Sequence, residues 1–167
     1  ARQLMTEQAL VDCIKSSGFA PFSPYIETQR ARLYASYVFI GGHLDASLRD
    51  AVVLDIGSLE GMFLPALQSF GCFSSYHILD CMERSPDLMF HPPGGGEIHA
   101  QRHLSNIEEA RLPLPDSSMD LVLLAEVLEH LMHDPMKALI EINRVLRPGG
   151  LLFITTPNVN SGESFRR

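Results

Sequence analysis

Val52-Val53-Leu54-Asp55-Ile56-Gly57-Ser58-Leu59-Glu60-Gly61 is the stretch that decides the fold. A short apolar, β-branched run reads as a buried strand, Asp55 stands where that strand emerges, and two glycines bracket the turn that follows. Gly57 lets the backbone turn tightly, and Gly61 lets a following helix pack close and present its N-terminal amides to a ligand. Such a turn suits an adenosine-bearing cofactor. A pyrophosphate needs G-x-G-x-x-G, but position 59 is Leu59, position 62 is Met62, and Asp55 would repel the phosphates. The spacing therefore favours a cofactor with a cationic amino-acid tail, for which Asp55 is an acceptor. Gly57, Ser58, Leu59 and Gly61 are candidate binding residues beside it.

Working outward, 167 residues with 46% hydrophobic and 20% charged composition predict one globular domain with a sizeable core. No stretch approaches the roughly 18 apolar residues of a membrane span, and no basic-then-apolar leader opens the chain, so cytoplasmic residence is expected. Cys13, Cys72 and Cys81 are odd in number and lack C-x-x-C spacing, which argues against a disulfide framework and a structural zinc site. The formal charge of −7 disfavours broad contact with nucleic acid and points to a small-molecule substrate. Arg30, Arg32, Arg144, Arg147, Arg166 and Arg167 read as solvated surface, with a local basic patch as the alternative.

Residues 3–17 carry apolar side chains at helical spacing, and a second helix is expected from Tyr25 to about Leu44, where Gly41-Gly42 loosens the chain. These helices, residues 1–48, are expected to form a lid over a core at 49–160. After the glycine turn, residues 62–70 form a helical face ending at Gly71, and Tyr76-His77-Ile78-Leu79 is a second, parallel strand ending at Asp80. Asp80 is placed to take two ribose hydroxyls through its two oxygens, with Glu83 as the alternative and Cys81 alongside. Residues 86–96 are Pro- and Gly-rich and irregular, and a third strand spans 97–103. Asn106 and Ile107, just beyond it, offer an acceptor and an amide for an adenine, with Glu108 able to replace Asn106.

Met119 to Leu124 is a near-continuous apolar strand of the type buried on both faces, ending at Ala125-Glu126-Val127-Leu128-Glu129-His130. Asp134 and Pro135 open a helix with a core face of Met136, Leu139, Ile140, Ile142, Val145 and Leu146. Arg147-Pro148-Gly149-Gly150 stops it, and residues 151–155 form a fifth strand closed by Thr156-Pro157-Asn158. Every candidate polar residue thus falls at the carboxyl end of a strand, where ligands gather in open α/β sheets.

Four segments in this order resemble the class I S-adenosylmethionine-dependent methyltransferases: Val53-Leu54-Asp55-Ile56-Gly57, then residues 112–120 (Leu-Pro-Leu-Pro-Asp-Ser-Ser-Met-Asp), Glu126-Val127-Leu128-Glu129-His130, and Arg144-Val145-Leu146-Arg147-Pro148-Gly149-Gly150. The resemblance covers about residues 50–160. It implies a Rossmann-like doubly wound parallel sheet with helices on both faces, S-adenosylmethionine as cofactor, and methyl transfer to a small molecule, an oxygen acceptor being preferred. It implies that Asp55 with Gly57 and its loop holds the methionine part, that Asp80 binds ribose, and that Asn106 with Ile107 reads adenine; Ala125 joins this set at the end of its strand.

His130 is the candidate general base on a hydroxyl acceptor, with Glu126 or Glu129 orienting it. Glu126, Glu129 and His130 at i, i+3 and i+4 also have a spacing that suits a divalent metal, as in the small-RNA terminal methyltransferases, but no metal is assigned. Leu59 departs from the family's middle glycine. The family's closing antiparallel hairpin is missing, so a chain cut short is expected, with its fifth strand an open edge for a second copy or a partner. The competing function is a degenerate methyltransferase fold acting as a non-catalytic binding module.

Overall fold

The computed structural model describes residues 3–57, 60–82, 87–92 and 96–157. Helices α1 (Glu7–Ile14), α2 (Ser23–Thr28) and α3 (Arg30–His43) precede β1 (Ala51–Ile56). Then come α4 (Leu64–Gln68), β2 (Phe73–Asp80), β3 (Asp87–Phe90), β4 (Ile98–Leu104), β5 (Met119–Ala125), α5 (Pro135–Val145) and β6 (Leu146–Thr155). The six strands form one sheet in the order β3-β4-β2-β1-β5-β6. All neighbours are parallel except β3, which pairs antiparallel with β4 at the edge.

The apolar run of β1 is explained by its position. It is flanked by β2 and β5, and its side chains alternate between two cores. Val53 joins Ile78, Leu121 and Leu123 under α1, α3 and α4. Leu54 and Ile56 join Leu79, Val122 and Leu124 on the opposite face, against α5 and the segment 107–114. This is the doubly wound architecture, with helices on both faces. No helix among the described residues is long and apolar enough to cross a membrane.

Several expectations are corrected. The helix expected from Tyr25 to Leu44 is two helices broken at Gln29, and Gly41 and Gly42 lie inside α3. Gly41 is needed there for close packing: a Cβ would sit 2.8 Å from Leu4 Cδ2 and from Phe70 Cε1. The Pro- and Gly-rich stretch after Asp80 contains an extra strand, β3, whose Phe90 stacks on Phe19 with ring centroids 5.4 Å apart. On α5 the core side is Ala138, Ile142 and Val145, whereas Met136 and Ile140 are exposed. The N-cap expectation holds, since the Asp134 carboxylate accepts the Met136 N–H at 3.0 Å.

Arg147-Pro148-Gly149-Gly150 does more than end the helix. It is the first part of β6, and the register passes from Met119↔Leu146 to Leu121↔Leu151, so these residues bulge opposite Asp120. Gly149 has φ +80°, and a Cβ on Gly150 would lie 2.9 Å from Arg147 O, which explains both glycines. Arg147 donates to Asp120 Oδ2 at 2.5 Å, and that oxygen also accepts the Val52 N–H at 2.8 Å. The bulge is thereby tied to β1.

The expected surface arginines are spent in ion pairs: Arg30 with Glu7 and Glu27, Arg32 with Glu126, Arg144 with Glu141 and Asp116, and Arg147 with Asp120. Arg166 and Arg167 lie outside the described residues. Arg144 is the most connected. It donates to Glu141, to Asp116 Oδ1 at 2.6 Å, and to the carbonyls of Leu112 at 3.0 Å and Leu114 at 2.9 Å. Glu141 in turn accepts the Leu112 N–H at 2.9 Å. This cluster pins the Leu112-Pro113-Leu114-Pro115-Asp116 segment to α5, and hydrogen bonds to Arg144 hold the Glu141 and Asp116 carboxyls below their ordinary values.

Arg144→Met strips these partners and should cost about 2–4 kcal/mol of unfolding free energy at neutral pH. Because the carboxyl pKa values are lowered in the folded state, their stabilisation is present above the ordinary carboxylate range and lost as pH falls through the lowered values. Urea denaturation at pH 7 and near pH 3 checks both points. The wild-type chain should lose more stability on acidification than Arg144→Met, and parallel losses would remove the assignment.

Candidate functional site

The carboxyl ends of the parallel strands share one edge of the sheet, and a cavity opens there beneath α2 and α3. It encloses about 150 Å³ within a space of about 740 Å³ that includes its open mouth. β1 contributes Asp55 and, just beyond, Gly57. β5 contributes Leu123 and Ala125, followed by Glu126, and β6 contributes Phe153 and Thr155. Met62 and Phe63 close one side, and Tyr25, Arg32, Leu33 and Ser36 form the roof.

Asp55 is 1% exposed, on the same face of β1 as Val53, with Ile78 and Leu123 as strand neighbours. The strand register therefore delivers a carboxylate to the cavity floor. Gly57 follows at φ +65°, its N–H donating to Leu79 O at 2.9 Å, and a Cβ there would lie 2.7 Å from Val127 Cγ2. Gly61 has φ +72°, and a Cβ would lie 2.5 Å from Ile78 Cδ1. Both glycines are required by conformation and by close approach, as the spacing predicted. Ser58 and Leu59 lie outside the described residues.

Glu60 also has positive φ, +59°, and its carboxylate meets Arg102 Nη2 at 2.9 Å. The Arg102 side chain is 3% exposed, and its Nε and Nη1 have no hydrogen-bond partner. The carboxylate that the sequence adds beside the glycine turn is thus neutralised by β4 on the side of α4.

Glu126 is the second carboxylate of the cavity. Its φ is +57°, its N–H donates to Thr155 O at 2.9 Å, and its Oε2 accepts Arg32 Nη1 at 2.9 Å. Arg32 is oriented by Tyr25 Oη at 2.7 Å and Gln29 Oε1 at 3.1 Å. Glu126 Oε1 and Thr155 Oγ1 are buried without a hydrogen-bond partner. Sequence reasoning placed Glu126 here but missed Arg32, Tyr25 and Thr155. The Arg32–Glu126 pair joins residues 94 positions apart, which no local pattern reveals.

His130 is not brought to the cavity. It is exposed on a 3-10 turn, Leu128–His130, with its N–H donating to Val127 O at 2.9 Å. Glu126 lies outside that turn with its carboxylate turned to Arg32, so the expected shared helical face of Glu126, Glu129 and His130 does not form. Among the described residues no group of three His, Cys, Asp or Glu side chains is arranged to hold a metal ion.

Asp80, Cys81, Asn106 and Ile107 lie on the same sheet edge, outside the lining of this cavity. Asp80 Oδ1 accepts the Met82 N–H at 3.0 Å, and its carbonyl accepts the Ser105 N–H at 2.9 Å, which joins the ends of β2 and β4. Asn106 Oδ1 accepts the Glu108 N–H at 3.1 Å, so the side chain proposed for adenine also caps a turn. Ile107 is buried in the second core, and Cys81 is exposed. Glu108 is committed elsewhere. It accepts the His133 N–H at 2.7 Å, and that contact holds its carboxyl below the ordinary value. Glu83 lies outside the described residues.

The site can be set beside known proteins. Residues 54–154 match the family described as "Methyltransferase domain". A "probable S-adenosylmethionine-dependent methyltransferase" of Mycolicibacterium smegmatis is 51% identical over 49 residues, 29% of this chain and 19% of that protein. The match spans only about a fifth of the length of such curated relatives. Among solved structures, a SAM dependent methyltransferase from Aquifex aeolicus superposes with TM-score 0.56 at 20% identity, over 86% of this chain and 76% of that one. Burkholderia thailandensis 1,6-didemethyltoxoflavin-N1-methyltransferase, with bound 1,6-didemethyltoxoflavin and S-adenosylhomocysteine, superposes with TM-score 0.55 at 20% identity, over 92% of this chain and 65% of that one. The strand order, the glycine turn after β1 and the family match over residues 54–154 agree: this chain belongs to the class I S-adenosylmethionine-dependent methyltransferases.

Proposed function

We propose that the chain binds S-adenosylmethionine along the carboxyl edge of its sheet and transfers the methyl group to a small-molecule acceptor, with an oxygen nucleophile preferred. The observation that carries this reading is the cavity in which Asp55, Gly57, Ala125 and Glu126, distant in sequence, share one wall. The residues present fit the cofactor. Gly57 brings backbone without a side chain to the cavity, and the Asp55 and Glu126 carboxylates line it together with the Arg32 guanidinium, groups suited to a ligand that carries both an ammonium and a carboxylate. When bound, the cofactor supplies an electrophilic methyl group on a sulfonium.

The chain's contribution is position and charge. Asp55 and the Gly57 turn hold the methionine part, Ala125 lies beside them, Asp80 with Cys81 meets the ribose, and Asn106 with Ile107 meets the adenine. Burial of the reacting centre among Leu33, Phe63, Leu123 and Phe153 excludes water and strengthens each polar contact. Residues 1–48 act as the lid and 49–160 as the core of one domain. Three free cysteines accord with residence in the cytoplasm.

Calorimetric titration with S-adenosylhomocysteine tests the reading, and no heat at millimolar ligand would refute it. Asp80→Ala should weaken that binding by about 1.5–3 kcal/mol through loss of charged hydrogen bonds. An unchanged dissociation constant would free Asp80 of the ribose. Once an acceptor has been found by screening for S-adenosylhomocysteine release, His130→Ala and Glu126→Gln rank the two candidates. From their positions, turnover should fall further in Glu126→Gln, and the opposite ranking would restore His130 as the base.

A further inference from the structure

Arg102 is a charged side chain that lies outside the cavity lining and that the fold almost wholly buries. It stands on β4, on the same face as Ala100 in the core beneath α4, and its side chain is 3% exposed with Nε and Nη1 unmated. Its Nη2 donates to Glu60 Oε2 at 2.9 Å, reaching over β2, which lies between β1 and β4 in the sheet. A guanidinium is costly to remove from water, and an apolar side chain of similar length would fill the same space at less cost. What the charge adds is a fixed position for the residue it holds.

That residue belongs to the turn after β1. Gly57, Glu60 and Gly61 have φ of +65°, +59° and +72°, and of the three only the glutamate carries a side chain. A left-handed residue of this kind persists where its surroundings impose it. Next to it, a Cβ on Gly61 would lie 2.5 Å from Ile78 Cδ1, and Ile78 is the strand partner of Arg102. Ile78 precedes Asp80 by two residues on β2, and Arg102 precedes Asn106 by four. The segments assigned above to the methionine part, the ribose and the adenine are therefore tied together at one guanidinium.

We propose that Arg102 is a positioning residue for the cofactor: through Glu60 it holds the turn after β1 in its binding form, so that the methionine end of the ligand meets Gly57 and Gly61 already in their left-handed conformation. This rests on the methyltransferase reading above. A turn set in advance loses less freedom when a ligand arrives, and the difference appears as affinity. Because Arg102 acts through Glu60 and not by contact, its effect is confined to the part of the ligand that the turn holds.

Calorimetric titration with S-adenosylhomocysteine and with methylthioadenosine, which keeps the adenosine and lacks the amino-acid end, separates this role from a structural one. Arg102→Met and Glu60→Gln should each weaken S-adenosylhomocysteine about tenfold and methylthioadenosine by about threefold or less. In the double variant Glu60→Gln/Arg102→Met neither charge remains, so stability to urea should recover relative to Glu60→Gln while S-adenosylhomocysteine still binds about tenfold more weakly than to the wild-type chain. Unchanged affinity, equal losses for the two ligands, or affinity that returns with stability in the double variant would overturn the proposal. Binding of neither ligand by the wild-type chain instead refutes the methyltransferase reading, and the free chain then carries the test. Amide exchange of Gly57 and Leu64, whose N–H groups donate to Leu79 O and Gly61 O at 2.9 Å, should quicken roughly fivefold in the double variant while exchange within β5 holds. Equal protection at Gly57 and Leu64 would overturn the proposal on its own.

Discussion

A carboxylate on a strand covered from both sides is the constraint on which the rest of this structure depends. Asp55 lies on β1 with strands on either hand and a core above and below, and it is 1% exposed. Desolvating a carboxylate is among the most expensive acts in folding, so it is tolerated only near the strand's end, where polar groups and ligand can reach it. That requirement sets the register of β1: two residues later the chain must turn, Gly57 makes the turn, and the helix side chains must arch over the edge rather than fill it. The cavity follows from that geometry. Had the apolar run continued through position 55, the same sheet would form and its edge could close.

The parts of the fold legible in the sequence are those where local pattern and tertiary position agree. β1, β2, β5 and α5 were legible because central parallel strands need continuous apolar runs and because Asp134-Pro135 is a strong helix start. β3 was not, since an edge strand of four residues beside a Pro- and Gly-rich stretch has no periodic signal of its own. The core face of α5 was misjudged at Met136 and Ile140 because hydrophobicity records what a residue tolerates, not what covers it. Within the site, Asp55, Gly57 and Glu126 could be read from strand ends. Arg32 and Tyr25 could not, because the helices carrying them are placed only by packing, and a helix surface with few apolar repeats does not announce which side chain faces inward. His130 illustrates the converse: its spacing from Glu126 suits a helix, but the chain between them does not form a shared face.

Two arginine–glutamate pairs, each at 2.9 Å, show how burial changes the meaning of one contact. Arg102 is buried with two of its nitrogens, Nε and Nη1, unmated, so its pairing with Glu60 offsets a desolvation cost rather than adding much net stability. Its consequence is conformational, because Glu60 sits at positive φ between the two glycine turns and a neutralised side chain there keeps negative charge from accumulating beside Asp55. Arg32 is 31% exposed, bonded to Tyr25, Gln29 and Glu126, and it spans the junction between the helices and the core. A pair in that position is weaker as a staple but remains accessible to a ligand's own charges.

The distribution of charge carries the argument one step further. The chain has 20 acidic and 13 basic residues, and most of the described arginines are bound to carboxylates on the body of the domain. Asp55, Glu126 and Arg32 are the charged side chains among the described residues that line the cavity. A low-dielectric pocket with an unbalanced negative charge attracts cations more strongly than the same residues would in water. A sulfonium cofactor gains from that field before the reaction, and its product, having lost the sulfonium charge, gains less. In the proposed binding mode, the same carboxylates that draw the cofactor in therefore also favour release of what remains of it.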